Sequence, residues 1–166
     1  MITSQTLPGG TGTPSGAGTS RRRELKIKLE VDTDPPPGFA TETRFLLQPI
    51  PFSVKVYDPP SLFAGKMHAV LCRGWGTRVK GRDWYDLVWY LSKRPPVTPN
   101  LVLLQNALDQ TEGQGAVDGS GWARSLLDRL ESPDMSTLAA DVQPFLERPA
   151  DVRYLTTDHL RTLLQR

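Results

Sequence analysis

The spacing of apolar residues divides the chain into a segment of extended character and a longer helical one. Residues 24–33, ELKIKLEVDT, alternate apolar with charged side chains, and this period of about two predicts a strand with one apolar and one charged face. The run DPPPG then interrupts the chain, because proline fixes an extended geometry and lacks a backbone donor. Two further extended segments follow at 43–48 and 52–57. The pattern therefore predicts a short N-terminal sheet of about three strands.

From Ser61 onward the apolar residues recur at the spacing of an α-helix. The pattern predicts a helix of about three turns with Ser61 as its N-cap, a second helix from Arg82, and a third over 100–111. Residues 112–121 are rich in glycine and are expected to be a linker. Three short amphipathic helices are predicted beyond it, over 122–131, 136–147 and 157–166. The fold class that follows is α+β, with a sheet before a C-terminal helical region.

Composition limits the class of protein. At 166 residues the chain can form one ordinary core, and residues 1–23, rich in Gly, Ser, Thr and Pro, are expected to be a disordered lead. The lone Cys72 excludes an intramolecular disulfide, and no segment resembles a signal peptide or a membrane span, so a cytoplasmic protein with no membrane partner is expected. The formal net charge is only +2. Any site for nucleic acid or phosphate must therefore be local.

Three residues are the first candidates for a catalytic role: Lys66, Asp83 and Asp86. Lys66 lies within the apolar stripe of the first predicted helix. Asp83 and Asp86 lie three residues apart at the start of the second helix, so they share a face and could hold a cation or orient a base. Each also has a purely structural interpretation, since a buried lysine stem can extend its ammonium to water and acidic residues are favoured in a first helical turn. The residues alone leave both interpretations open.

A basic loop, RGWGTRVKGRD, joins these two helices. Guanidinium groups bind phosphate oxygens in pairs and glycine permits close approach, so the loop suits a polyphosphate or a nucleic-acid backbone; a solvated basic loop is the alternative. Its cationic residues are Arg73, Arg78, Lys80 and Arg82. The second helix adds four aromatic residues, whose helical spacing favours the core over a base-stacking platform. They are Trp84, Tyr85, Trp89 and Tyr90.

Taken as one string, FAGKMHAVLCRGWGTRVKGRDWYDLVWYL resembles the signature of the AbiEii/AbiGii family of nucleotidyltransferase toxins. The likeness consists of a lysine in an L-F-A-G-K-x-H-A context, a basic loop, and R-D-x-Y-D-L opening the next helix, and it extends over about residues 25–105. The resemblance implies a nucleotidyltransferase-like fold and Mg²⁺-dependent transfer of a nucleotide from an NTP to RNA, tRNA in particular. It also implies a toxin of a two-gene system with a cognate antitoxin.

The resemblance assigns roles by position. Lys66 matches the lysine that contacts phosphate, Asp83 matches the later catalytic aspartate, and Asp86 matches the second acidic position of that motif. Glu30, on the charged face of the first predicted strand, corresponds to a third, metal-binding carboxylate. The basic loop residues are then expected to bind the nucleotide phosphates.

The family pattern also begins with a G-G-S/T segment followed by a D-x-D strand that holds the metals, and neither is present here. The chain is therefore expected to be the C-terminal part of such an enzyme, truncated and inactive alone, and a separate chain is one source of the missing N-terminal half. Its partial nucleotidyltransferase-like core is expected over 24–111, with linker 112–121 and C-terminal helices over 122–166.

Two other functions remain open at the level of sequence. The chain could be a non-catalytic remnant that binds NTP or RNA, which salt-sensitive binding without incorporation would indicate. A metal-dependent nuclease using Glu30, Asp83 and Lys66 is the more distant alternative, and it requires all three in one site.

Overall fold

The computed structural model describes residues 29, 31–72, 80–131 and 133–166. The chain divides into two compact units, Met1–Thr33 and Asp34–Arg166, and every helix and strand of the described residues lies in the second. The predicted disordered lead and most of the predicted strand at 24–33 lie outside the described residues. The few described residues of that strand, 29 and 31–33, are exposed and belong to no ladder.

The sheet of the described region is a two-stranded antiparallel hairpin. It consists of β1 (Thr41–Leu46) and β2 (Phe52–Tyr57), and the last residue of β1 lies opposite the first residue of β2. The predicted segment 52–57 is confirmed. β1 ends before residue 48 because Pro49 follows, and proline lacks the N–H that a ladder requires. The α+β class is confirmed, but the expected count of about three strands is wrong for the described residues, which form two.

Six α-helices follow in the described residues, in the predicted order. They are α1 (Pro59–Cys72), α2 (Gly81–Leu91), α3 (Leu101–Glu112), α4 (Trp122–Arg129), α5 (Met135–Val142) and α6 (Thr157–Leu164). Short 3-10 turns accompany the last three helices, at Gly119–Gly121, Gln143–Phe145 and Pro149–Tyr154. The helix predicted over 136–147 stops early because Pro144 would remove a backbone hydrogen bond from its interior, and a 3-10 turn replaces its last part.

The first helix begins two residues before the predicted N-cap. The Asp58 carboxylate accepts the backbone N–H of Ser61 at 2.9 Å, so Asp58 caps the helix and the two prolines after it occupy positions that need no N–H. The Ser61 hydroxyl instead accepts the backbone N–H of Ala40, at 3.0 Å, and the side-chain amide of Asn100, at 3.2 Å. The prediction that Ser61 caps α1 was therefore wrong, and its hydroxyl joins the residue before β1 to the start of α3.

One core holds the helices together. α1 packs on α2, α3 and α4, while α2 also packs on α5 and α6. All six helices contribute to the largest fully buried side chains, which include Trp84, Phe63, Met67, Leu87, Leu104, Leu108, Leu126, Leu130, Leu138 and Leu160. No helix in the described part of the chain is long and apolar enough to cross a bilayer. α1 and α2, which carry the candidate site residues, are thus fixed against each other by the core and by the C-terminal helices.

The first turn of α2 is held by α5. Lys80, at the N-cap position, provides no side-chain cap, and the Gly81 N–H donates instead to the Asp141 carboxylate at 2.8 Å. Gly81 also lies against the backbone of Leu138, where a Cβ atom would overlap the carbonyl oxygen. Glycine is therefore required here for close approach, and that approach sets the position of the turn that carries Asp83.

Replacing Gly81 with alanine should separate α5 from α2. The new methyl group meets backbone rather than a flexible side chain, so we expect a loss of about 1–3 kcal/mol in the free energy of unfolding. Gly65→Ala is the matched control, because Gly65 is exposed in α1 and a Cβ there meets nothing within 4 Å. It should raise stability by about 0.5–1 kcal/mol through helix propensity. Urea unfolding measures both, and equal effects of the two variants would contradict the close approach.

Candidate phosphate-binding site

The structure brings Lys66, Asp83 and Asp86 together between α1 and α2. The Lys66 ammonium lies 2.6 Å from Asp86 Oδ2 and 3.4 Å from Asp83 Oδ1. Lys66 projects from the middle of α1, whereas the two aspartates project from the first turns of α2 on one face, as their spacing predicts. The three candidate catalytic residues thus form a single cluster in which one cation is shared by two carboxylates.

The two carboxylates differ in burial. Asp83 is buried, with 11% of its side chain exposed, whereas Asp86 has 41% exposed. Burial by itself would lower the pKa of Lys66, but the hydrogen bond and charge of Asp86, and then those of Asp83, outweigh it and raise that pKa above its usual value. Lys66 is therefore fully charged at neutral pH, and its amine is a cation rather than a general base.

A cavity of about 530 Å³ opens beside this cluster, within the range of roughly 300–1,000 Å³ typical of small-molecule sites. We call it the cationic cavity, and its lining residues are Lys66, Lys80, Arg82, Asp83, Tyr85, Asp86, Val142, Phe145 and Leu146. The Arg82 guanidinium lies 4.8 Å from the centre of the Phe145 ring, which supports it from one side. The lining thus combines cationic side chains with apolar residues from the segment that follows α5, Phe145 and Leu146.

Other predicted site residues lie outside the described residues. Arg73 and Arg78 belong to the part of the basic loop that is not described, and the same holds for Glu30 of the first predicted strand. Their expected roles therefore stay predictions. Of the four predicted phosphate ligands, Lys80 and Arg82 are described, and both line the cationic cavity.

The cluster does not fit a metal ion by itself. Mg²⁺ requires several oxygen ligands in a nearly octahedral arrangement. Both carboxylates here are held by the ammonium of Lys66, and the described residues contain no group of three His, Cys, Asp or Glu side chains able to hold a metal. The chemistry that the described cavity offers is anion binding by Lys66, Lys80 and Arg82.

The aromatic residues of α2 divide between core and surface. Trp84 and Tyr90 are buried, as the helical spacing predicts, and Tyr90 stacks on Phe63 of α1. Trp89 is 51% exposed, so the expectation that the aromatic residues of α2 belong to the core is wrong for it. Trp89 lies five residues after Trp84, about 140° further around the helix, and so points away from the face that buries Trp84.

Sequence reasoning missed the contributions from the C-terminal helices. Asp141, which holds the start of α2, and Phe145, which supports Arg82, lie about sixty residues after the basic loop. They resemble ordinary residues of a short amphipathic helix, so no local signal distinguishes them. Only the packing of α5 against α2 brings Asp141 to the first residue of α2 and Phe145 to the cavity.

A larger cavity, of about 650 Å³, lies elsewhere in the molecule. It is lined by Leu71, Cys72, Leu108, Glu112, Val117, Ser125, Asp128 and Arg129. None of these residues is shared with the cationic cavity, so size alone would select the wrong place for the predicted chemistry. Burial, followed by the charge and hydrogen bond of Glu112, raises the pKa of the Cys72 thiol to about 11.

The fold and the site define the class of protein: an α+β domain with a cavity lined by cations and carboxylates. A family model described as "Nucleotidyl transferase AbiEii toxin, Type IV TA system" matches residues 7–163. The chain belongs to this family, and the resemblance noted in the sequence is confirmed. Neither the curated proteins nor the solved structures contain a match to the chain.

The burial of Asp83 predicts a specific rescue. Lys66→Met removes the cation beside a buried carboxylate, and we expect a loss of about 1–2 kcal/mol, below the value for fully buried pairs because Lys66 reaches water. Adding Asp83→Asn should restore most of that loss, whereas adding Asp86→Asn should not, because Asp86 is solvated. Urea unfolding of the single and double variants measures this. Equal rescue by both asparagine variants would show that burial of Asp83 is not what makes Lys66 necessary.

The raised pKa of Cys72 predicts that its thiol reacts slowly with alkylating reagents and that the stability of the fold depends on pH. An unfolded thiol titrates near 8.5, so the neutral thiol contributes stability that is full below about pH 8.5 and is lost as pH rises toward 11. At pH 8 the folded protein should carry on the order of 100-fold less thiolate than the unfolded chain. Iodoacetamide labelling followed by mass spectrometry measures this, and Glu112→Gln should accelerate it. Equal rates for folded and urea-unfolded chains would refute the shift.

Proposed function

We propose that the cationic cavity binds the phosphates of an NTP, and that the chain acts in a toxin–antitoxin system as a nucleotidyltransferase that transfers a nucleotide to RNA. Membership of the AbiEii family supports the reaction class and the toxin role. RNA as acceptor, tRNA in particular, and a cognate antitoxin as partner follow from the family resemblance. The single observation that carries the proposal is the convergence of Lys66, Asp83 and Asp86 beside Lys80 and Arg82.

The distribution of charge explains why phosphate fits this cavity. Its lining includes three cationic side chains and two acidic ones, so cations are in excess although Lys66 is ion-paired. An NTP carries several negative charges, and the planar guanidinium of Arg82 can hold two phosphate oxygens while resting on Phe145. The cavity thus offers positive charge on a preorganised surface.

Lys66 connects phosphate binding to the two carboxylates, because its ammonium is paired with both of them. Asp83 and Asp86 keep its amine protonated and restrict where the ammonium can lie. A phosphate oxygen that enters the cavity can replace the solvated Asp86 as partner of the ammonium, while the buried Asp83 still positions it. In this proposal Asp83 and Asp86 orient the Lys66 ammonium, and Asp86 is released from the ion pair when phosphate binds.

A second candidate function is NTP or RNA binding without turnover. The observation that favours it is the pairing of both carboxylates with Lys66, which leaves the described cavity without a donor set for the metal ions that nucleotidyl transfer uses. The two candidates share the binding step and differ in whether the RNA is extended.

Binding and transfer should be measured on the same protein. Equilibrium binding of labelled ATP, GTP, CTP and UTP at low salt should weaken about tenfold or more in Lys66→Ala, because a charge-assisted hydrogen bond is lost. Lys80→Glu should also weaken it, and rising salt should weaken it in every variant. Lys55→Ala is the matched control, since Lys55 is an exposed lysine of β2 that does not line the cavity. Unchanged affinity in Lys66→Ala would overturn the phosphate site.

The transfer assay separates the candidate functions. The protein is incubated with Mg²⁺, labelled NTPs and total tRNA, and the RNA is resolved by length. Extension that disappears in Lys66→Ala supports the transferase, whereas NTP binding with RNA of unchanged length supports binding without turnover. Shortened RNA would support the nuclease alternative and contradict both.

A further inference from the structure

A second, smaller cavity adjoins the cationic one along α2. It has a volume of about 270 Å³, and we call it the aromatic cavity; it is lined by Lys66, Tyr85, Asp86, Trp89 and Tyr90. Three of these residues, Lys66, Tyr85 and Asp86, also line the cationic cavity. The two cavities are therefore neighbours, and the ion pair between Lys66 and Asp86 lies where they meet.

The two cavities differ in chemistry. The cationic cavity adds Lys80 and Arg82 to the shared residues, whereas the aromatic cavity adds only Trp89 and Tyr90. Trp89 is half exposed, and its indole ring meets the Tyr90 ring edge-on, with centroids 4.8 Å apart at 90°. This contact fixes the orientation of a large aromatic ring whose surface is open to solvent.

The Lys93 side chain lies over the Trp89 ring but does not line the aromatic cavity. Its ammonium lies 3.6 Å from the ring centre, in the geometry of a cation–π interaction. A lysine at this position is one turn further along the chain from Trp89, just beyond the end of α2, and its long side chain can move aside at low cost.

We propose that the aromatic cavity binds a nucleobase, stacked on Trp89, while phosphates of the same nucleotide occupy the cationic cavity. This inference rests on the proposed function, which places the phosphates of the ligand in the cationic cavity. The inference adds a binding place for the base of the same ligand. A nucleotide carries an uncharged flat base at one end and a polyanion at the other. Adjacent aromatic and cationic cavities, joined at Lys66 and Asp86, match that separation.

Stacking on Trp89 predicts affinity with little choice among the four bases. Every base has a π-face, so stacking tolerates sequence, and loss of one such contact weakens binding roughly 5- to 100-fold. The nucleobase can belong to the NTP or to the RNA acceptor. The two sources offer the same flat ring to Trp89, and separate binding measurements with NTP and with RNA distinguish them.

The experiment compares three probes on Trp89→Leu, with Trp89→Phe and a control variant beside it. Trp89→Leu should leave the affinity for inorganic triphosphate unchanged and weaken NTP binding about tenfold, while Trp89→Phe should retain most of the affinity. Tyr154→Leu is the matched control, because Tyr154 is also a partly exposed aromatic residue beneath a cation, Arg153, and lines neither cavity. The third probe is a short single-stranded RNA, and weakening of RNA alone would assign the same nucleobase site to the acceptor.

The outcomes separate this inference from the proposed function. Unchanged affinity of Trp89→Leu for both NTP and RNA would overturn the nucleobase site, even if triphosphate binds. Failure of the unmodified protein to bind triphosphate would overturn the phosphate site. An unchanged thermal midpoint in Trp89→Leu, expected because the side chain is half exposed, ensures that weaker binding reflects the lost ring.

Discussion

Asp83 places a carboxylate in a buried position at the start of α2, and a buried charge is costly unless a counter-charge and hydrogen-bond partners accompany it. Lys66 supplies that charge from α1, so the face that α1 turns toward α2 is constrained by electrostatics as well as by the core. The aliphatic stem of Lys66 lies among apolar residues of α1 while its ammonium is held at the edge of the core. This pairing links α1 to α2 beside the cationic cavity, which residues of both helices line.

The same constraint gives the C-terminal helices a part in the site. Asp141 of α5 accepts the Gly81 N–H, and the backbone of Leu138 packs against Gly81 closely enough to exclude any side chain. α5 thereby fixes the turn from which Asp83 enters the core, and the segment that follows it brings Phe145 under Arg82. Helices that resemble simple packing elements in the sequence position the residues that carry the charge.

Membership of the AbiEii family is consistent with the proposal that the cavity binds phosphate with Lys66 as its central cation. In the proposed function the described residues contribute anion binding, with Asp83 and Asp86 orienting the Lys66 ammonium. The exposed ring of Trp89 extends that surface beyond the charged groups. Phosphate and base recognition would then be arranged along one helix, since Arg82, Asp86 and Trp89 all belong to α2.

The sequence by itself determined the local features. The alternation in β2, the helical spacing in α1 and α2, the shared face of Asp83 and Asp86, and the family motif all depend on residues close together in the chain, where periodicity and short-range sterics decide the structure. Glu30, Arg73 and Arg78 remain sequence predictions. Tertiary structure alone decided which groups lie together across long separations: Asp141 against Gly81, Phe145 beneath Arg82, and Trp84 buried while Trp89 is exposed. The physical reason is that burial and pairing depend on what packs against each face of a helix, and the partner faces come from residues that sequence spacing does not connect.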